Sequence, residues 1–261
     1  MCWDCERIRF LLDVSLRNGS GSLFKWLVLC AGLVILGCAT TMTQLPSATG
    51  CMIHYNVLRT ATAAADEWVV IGHGFLRNHT RMERLAQVIA AAGINVVTVD
   101  FCNMRLWDGA HRRNAQDLIA VATALNARRV VYVGFSAGAL AALLAGAADS
   151  RTLGVVALDL VDAEQLGVRA ARDFRRPFIG LVGDPSPCNA QNNGLAVLAA
   201  NQHARVMRIV GASHCDFEAP TDLLCQWLCE RPASATAQRR EQIIQTTTAL
   251  IQSLRFRAPP N

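Results

Sequence analysis

From about residue 50 onward the chain alternates between two kinds of apolar run, and that alternation limits the folds open to it. Trp68–Gly72, Ile94–Asp100, Val130–Phe135, Leu153–Leu158, Phe178–Gly183 and Arg205–Val210 are short and rich in Val, Ile and Leu. Continuous apolar runs of this length predict strands covered on both faces, not the alternating pattern of a sheet with one wet face. Between them lie helical segments at Thr80–Ala92, Ala115–Ala127, Ala137–Ala148 and Gly194–Asn201, and Ala235–Leu254 closes the chain. Strand and helix in turn imply a mostly parallel sheet with crossover helices on both faces. An antiparallel strand is expected near Met52–Arg59. With 52% hydrophobic and 17% charged residues, there is enough apolar material for one sizeable core,. No internal repeat or low-complexity linker interrupts the pattern, so residues 51–261 are expected to form one α/β domain.

The charge pattern removes several chemistries. The net charge is +5, with no block of like charge and no interleaving of arginine with aromatics, so nucleic acid is not an expected partner,. Lys25 is the only lysine. A P-loop, a Ser-Lys dyad, a Schiff-base lysine and a pyridoxal-phosphate site all need a lysine in the folded domain. No cofactor and no metal centre is expected.

Residue Lys25 sits instead near the start of LFKWLVLCAGLVILGCA, the apolar run from Leu23 to Ala39. A basic flank, a short apolar stretch and small residues at its end have the form of a secretory signal. The run is short for a membrane span, which needs about 20 residues. Ile35-Leu36-Gly37-Cys38 resembles a bacterial lipobox, in which the cysteine is lipidated after cleavage. Residues 1–37 are therefore read as a targeting segment and 38–50 as a short linker. The expected location is the bacterial cell envelope, with the product held at the outer membrane by its lipid anchor; a secreted or periplasmic protein and an uncleaved anchor are the alternatives. The CxxC at Cys2 and Cys5 falls in the segment to be removed. Six cysteines remain besides Cys38: Cys51, Cys102, Cys188, Cys215, Cys225 and Cys229. In an exported protein an even number implies disulfides. The loops carrying Cys188 and Cys215 leave the same edge of a parallel sheet, and Cys225 and Cys229 follow one helical turn apart. At least one bridge is expected in that group, with Cys51 and Cys102 left to each other or free.

The strongest chemical signal is VVYVGFSAGA at Val130–Ala139. A GxSxG that ends a β-branched strand and opens an alanine-rich helix has the context of a nucleophile elbow, with Ser136 at its apex. The helix N-terminus beyond it points backbone N–H groups toward developing negative charge. His214 follows the last predicted strand in GASHCDF, where a general base would sit; His54, His73, His79, His111 and His203 precede or lie within elements. Two acids compete. Asp159 ends VVALD, where a carboxylate would be costly unless paired. Asp184 ends LVGD one strand later. Either could orient His214. Asp162 and Asp216 read as solvated or loop-bonding groups. In His73-Gly74-Phe75 the histidine reads as structural, so Phe75 and Ala137 are the expected backbone donors of an oxyanion hole.

These three motifs, HGF, GFSAG and GASHCDF, occur in an order and spacing that resembles the α/β-hydrolase superfamily across about residues 50 to 230. Among its branches the chain is most similar to the group of dienelactone hydrolases, chlorophyllases and polyester-hydrolase-like lipases. Asp159-Leu160-Val161-Asp162 resembles the Asp-Pro-Val-Asp of chlorophyllases, whose first Asp is the triad acid, which implies Asp159. Polyester hydrolases place the acid one strand later, which implies Asp184. Dienelactone hydrolases use a cysteine nucleophile where this chain has Ser136. The stretch from Asp159 to Phe178 has no room for the inserted cap domain of other members, so an open site is implied. The expected function is a serine ester hydrolase of the carboxylesterase or lipase kind, acting on a small or polymeric ester through an acyl-enzyme. Amide hydrolysis with the same triad, or a non-catalytic envelope lipoprotein that kept the fold, are the alternatives.

The leader generates its own test. Palmitate fed to a bacterium producing the protein should label it, and Cys38→Ser should abolish the label. Unlabelled protein still carrying its leader ahead of Cys38 would contradict the lipobox reading.

Overall fold

A computed structural model of the chain describes residues 41–47, 50–102, 109–229 and 236–255. Residues 1–37, read as a targeting segment, and Cys38 with the proposed cleavage point lie outside the described residues. Among those described, no helix is long and apolar enough to cross a membrane.

Among the described residues, eight strands form one sheet: β1 (Thr41–Pro46), β2 (Met52–Leu58), β3 (Glu67–Gly72), β4 (Val96–Asp100), β5 (Arg129–Phe135), β6 (Thr152–Leu158), β7 (Phe178–Val182) and β8 (Ala204–Arg208). Their spatial order is β1-β2-β4-β3-β5-β6-β7-β8. The β1–β2 and β2–β4 pairs are antiparallel and the other pairs parallel. The helices are α1 (Glu83–Ala91), α2 (His111–Ala124), α3 (Ala137–Ala148), α4 (Leu166–Asp173), α5 (Gly194–Ala199), α6 (Leu223–Cys229) and α7 (Thr236–Arg255).

The continuous apolar runs have the use expected of them. Side chains alternate across a strand, so each central strand feeds two cores. On one face Trp68, Val70, Val130 and Tyr132 pack with Leu118 and Val121 of α2, Leu143 of α3, Ala171 of α4 and Val197 of α5. On the other, Val69, Ile71, Val131 and Val133 pack with Leu85 and Ile89 of α1 and Ile243 and Ile251 of α7. Burying one such Val, Leu or Ile fully contributes about 1.5–3 kcal/mol, so the two-sided central strands carry most of the cohesion.

Three expectations need correction. Residues 38–50, read as a linker, contain β1, an edge strand that adds antiparallel to β2. The helix expected from Thr80 opens as a 3-10 turn, His79–Met82, and becomes α1 only at Glu83. The strand expected to reach Val210 stops at Arg208: β8 is a sheet edge, Ile209 turns inward to a buried position, Val210 is exposed, and Gly211 reverses the chain with φ +77°. Apolar content at an edge is a weak guide to strand length, because one side of the strand has no neighbour to bury. Two short helices, α4 and α6, are not among the helical segments read from the sequence. Between β6 and β7 the chain forms only α4, eight residues long, so no cap domain is inserted there.

Candidate active site

The parallel strands end at one edge, and β5, β6 and the turn after β8 each deliver one functional side chain there. Ser136 sits between β5 and α3 with φ 56° and ψ −122°, a conformation that costs a non-glycine residue about 1–3 kcal/mol,. Several contacts hold it in place. The Ser136 N–H donates to the Leu158 carbonyl at 2.9 Å, and its own carbonyl accepts from Ala139 N–H at 3.0 Å. The flanking glycines are sterically required. A Cβ at Gly134 would collide with the Gly138 carbonyl, and one at Gly138 with the His73 carbonyl.

His214 and Asp159 complete a chain of hydrogen bonds with Ser136. His214 opens the 3-10 turn His214–Phe217 beyond β8. Its Nδ1 lies 2.6 Å from Asp159 Oδ2 and its Nε2 lies 3.0 Å from Ser136 Oγ. A carboxylate can only accept, so Nδ1 carries the proton and Nε2 is left to accept from the serine hydroxyl. The imidazole rests against the Phe135 ring, with centroids 4.7 Å apart. Ser136, His214 and Asp159 are all buried, Asp159 at 1% exposure. The Asp159 carboxylate also accepts from the Gly183 N–H on Oδ1 at 2.9 Å and from Asn189 Nδ2 on Oδ2 at 3.0 Å. Burial of this carboxylate is thus fully compensated by donors.

Asp184, the other candidate acid, is not near His214 in this network. Its side chain is half exposed and pairs with Arg208 at 3.4 Å. Asp162 caps α4 by accepting from the Gly167 N–H at 2.7 Å. Of the two roles expected for it, Asp216 takes the loop-bonding one: it is buried, accepts from the Ser213 N–H at 2.9 Å, and faces Arg239 and Arg240 of α7.

The loop after β3 supplies the candidate oxyanion donors. His73 is buried, accepts from the Phe101 N–H on Nε2 at 3.1 Å, and donates from Nδ1 to the Gly74 carbonyl at 2.8 Å. Both ring nitrogens are occupied in the neutral form, and burial holds its pKa below the usual histidine value. His73 is therefore a structural brace. A Cβ on Gly74 would lie 3.4 Å from Ser136 Cβ, so the loop carrying Phe75 runs directly against the Ser136 turn. Ala137 is the first residue of α3, where amides have no partner within the helix,.

Sequence reasoning missed the groups that fix this loop. The His79 amide and ring Nδ1 both bind the Asp100 carboxylate, at 2.5 and 2.8 Å. The hydrogen bond to Asp100 raises the His79 pKa. Arg77 lies 3.2 Å from Glu218 and 3.0 Å from Asp222, and Arg81 lies 2.8 Å from Asp222. These pairs join the Phe75 loop to the segment just beyond His214. Burial raises the Glu218 carboxyl above its usual range even with Arg77 beside it. Nothing local in the sequence marks these partners, which are separated by up to 145 residues.

Among the described residues, three disulfides surround the same edge. Cys215–Cys225 ties the His214 turn to α6, and Cys188–Cys229 ties the turn Pro187–Asn189 to the same helix. Cys51–Cys102 joins the start of β2 to the segment after β4. The sulfurs of Cys215, Cys225 and Cys229 lie within 4.8 Å of one another, but each is engaged in a disulfide and offers no thiolate to a metal.

No protein-family model matches the chain, and no curated protein matches its sequence. Solved structures do match its shape. A hydrolase from Thermoplasma acidophilum described as CIB-like superposes with TM-score 0.64 at 13% identity, covering 83% of this chain and all of that one. Dienelactone hydrolase from Anabaena variabilis gives 0.62 at 21% identity over 82% of this chain and 98% of that one. The esterase domain of a Rhodothermus marinus protein gives 0.61 at 13% identity over 82% and 99%. With the sheet order and the nucleophile turn described above, these likenesses identify the architecture: the chain has the α/β-hydrolase fold.

Proposed function

We propose that the protein is a serine hydrolase that cleaves carboxylic esters through an acyl-enzyme on Ser136. The observation that carries this reading is the unbroken hydrogen-bond chain from Ser136 Oγ through His214 to Asp159. In the proposed reaction Ser136 Oγ attacks the ester carbonyl carbon while His214 Nε2 takes the hydroxyl proton. The negative charge moves to the carbonyl oxygen, where the Phe75 and Ala137 N–H groups receive it; one such donor is typically worth about 10²–10³ in rate. As the tetrahedral species collapses, the imidazolium gives its proton to the departing alkoxide. Water then attacks the acyl-enzyme by the same route and frees Ser136. Asp159 holds the imidazole in the reactive tautomer and stabilises its cationic form.

Ester cleavage is favoured by the surroundings of the nucleophile. Phe75 and Leu76, on the loop against Ser136, are 44% and 48% exposed. With only α4 between β6 and β7, an apolar wall beside an uncapped site suits a bulky or polymeric acyl group. The leader and Cys38 extend the proposal to the envelope, with the catalytic domain tethered to the outer membrane by lipid. Three disulfides accord with an oxidising compartment,.

Two experiments follow. Ser136→Ala should abolish turnover of a chromogenic ester with the fold intact, and an organophosphonate should label Ser136 alone; substantial residual activity would sink the mechanism. Asp159→Asn should lower kcat by about 10⁴-fold by disturbing the His214 tautomer. Asp184→Asn removes only an exposed pair and should stay close to the unmutated enzyme. The reverse ranking would move the acid to Asp184.

A further inference from the structure

The turn after β7 carries a side chain that the triad alone does not account for. Asn189 is fully buried, and Cys188 beside it is bridged to Cys229 of α6. Its carboxamide makes four hydrogen bonds. Oδ1 accepts from the Ser186 N–H at 2.8 Å and from the Asn192 N–H at 3.1 Å. Nδ2 donates to the Asp184 carbonyl at 2.9 Å and to Asp159 Oδ2 at 3.0 Å. The first two partners can only donate and the last two can only accept, so the amide cannot be turned over without breaking all four bonds. One half of the group is anchored to a rigid turn; the other half is aimed at the acid.

We infer that Asn189 is a positioning residue, which acts through Asp159 to keep the carboxylate aligned with His214 Nδ1. The inference rests on the triad reading above. Oδ2 is the oxygen that His214 uses, and Asn189 is the second donor to it. The Gly183 N–H holds only Oδ1. Without the Asn189 donor, the oxygen facing His214 loses its fixed partner and the carboxylate gains freedom to rotate. The donor comes from a turn held by two backbone N–H bonds and adjoining a disulfide, so it is set before substrate arrives. The charged groups facing Asn189 are Asp159 and, through it, His214; Asp184 turns its carboxylate outward to Arg208.

Two variants separate positioning from support of the turn. Asn189→Ala removes both halves of the amide. It should lower kcat by about 10–100-fold, the equivalent of one hydrogen bond to a charged group, and leave KM nearly unmoved. Asn189→Asp keeps an oxygen for the Ser186 and Asn192 amides, so the turn retains its anchor if the alanine variant fails to fold. Its new carboxyl can donate to Asp159 only while protonated. Two buried carboxyls at this distance share a proton at low pH and repel once it leaves. The kcat/KM profile of Asn189→Asp should therefore gain a falling limb at higher pH, where the unmutated enzyme holds its plateau, and activity should return on acidification. The downfield NMR resonance of the His214 Nδ1 proton gives a readout independent of turnover: it should shift or broaden in Asn189→Asp as the new carboxyl ionises. An Asn189→Asp protein with the unmutated resonance and profile overturns the inference. An unmutated protein that neither takes up organophosphonate nor cleaves esters overturns the serine-hydrolase reading instead, and the resonance still decides the role of Asn189.

Discussion

A carboxylate buried to 1% exposure has to be bonded on every side, and much of the sheet edge that carries Ser136 and His214 is arranged around meeting that demand at Asp159,. Its three donors come from three separate places: the end of β7 through the Gly183 N–H, the following turn through Asn189, and the loop beyond β8 through His214. Each donor segment is held by its own structure. Strand β7 pairs with both β6 and β8, the Asn189 turn is bridged to α6, and the His214 turn is bridged to the same helix. Moving any one of them would leave a charge short of a partner in a medium that cannot solvate it. The fixed orientation of His214 is a consequence of that constraint.

Ser136 obeys a different constraint with the same outcome. Ser136 is forced into positive φ, and glycines at 134 and 138 let α3 approach the end of β3 without collision. The strain is supported by strands β3, β5 and β6, whose side chains are buried on both faces. Rigid strands and bridged loops together hold Ser136, His214 and Asp159 in place, and in the proposed reaction preorganisation of that kind is what would stabilise the transition state.

The parts visible in the sequence are those governed by local rules. Val130–Phe135 had to be a two-sided strand because it has no polar alternation, and GFSAG had to be a tight turn because of its glycines. Asp159 stood out because VVAL offers an acid nothing to bond with locally. The positions of His214 after the last strand and of the cysteines near it followed from chain order in a parallel sheet. Arg77 with Glu218, His79 with Asp100, and Asn189 with Asp159 were not legible, because each pair is made by tertiary approach and none carries a local pattern. Edge strands β1 and β8 were misjudged for the same physical reason: pairing on one side only frees them from the apolar signature of central strands.

Ser136 and the amides of Phe75 and Ala137 are proposed to form one reacting centre. A crystal structure of the protein after reaction with an organophosphonate tests it directly, since the phosphonyl group mimics the tetrahedral intermediate. Phosphorus should be bonded to Ser136 Oγ, with the phosphonyl oxygen about 3 Å from both N–H groups. Phosphorus on any other side chain, or an oxygen turned away from both amides, would contradict it.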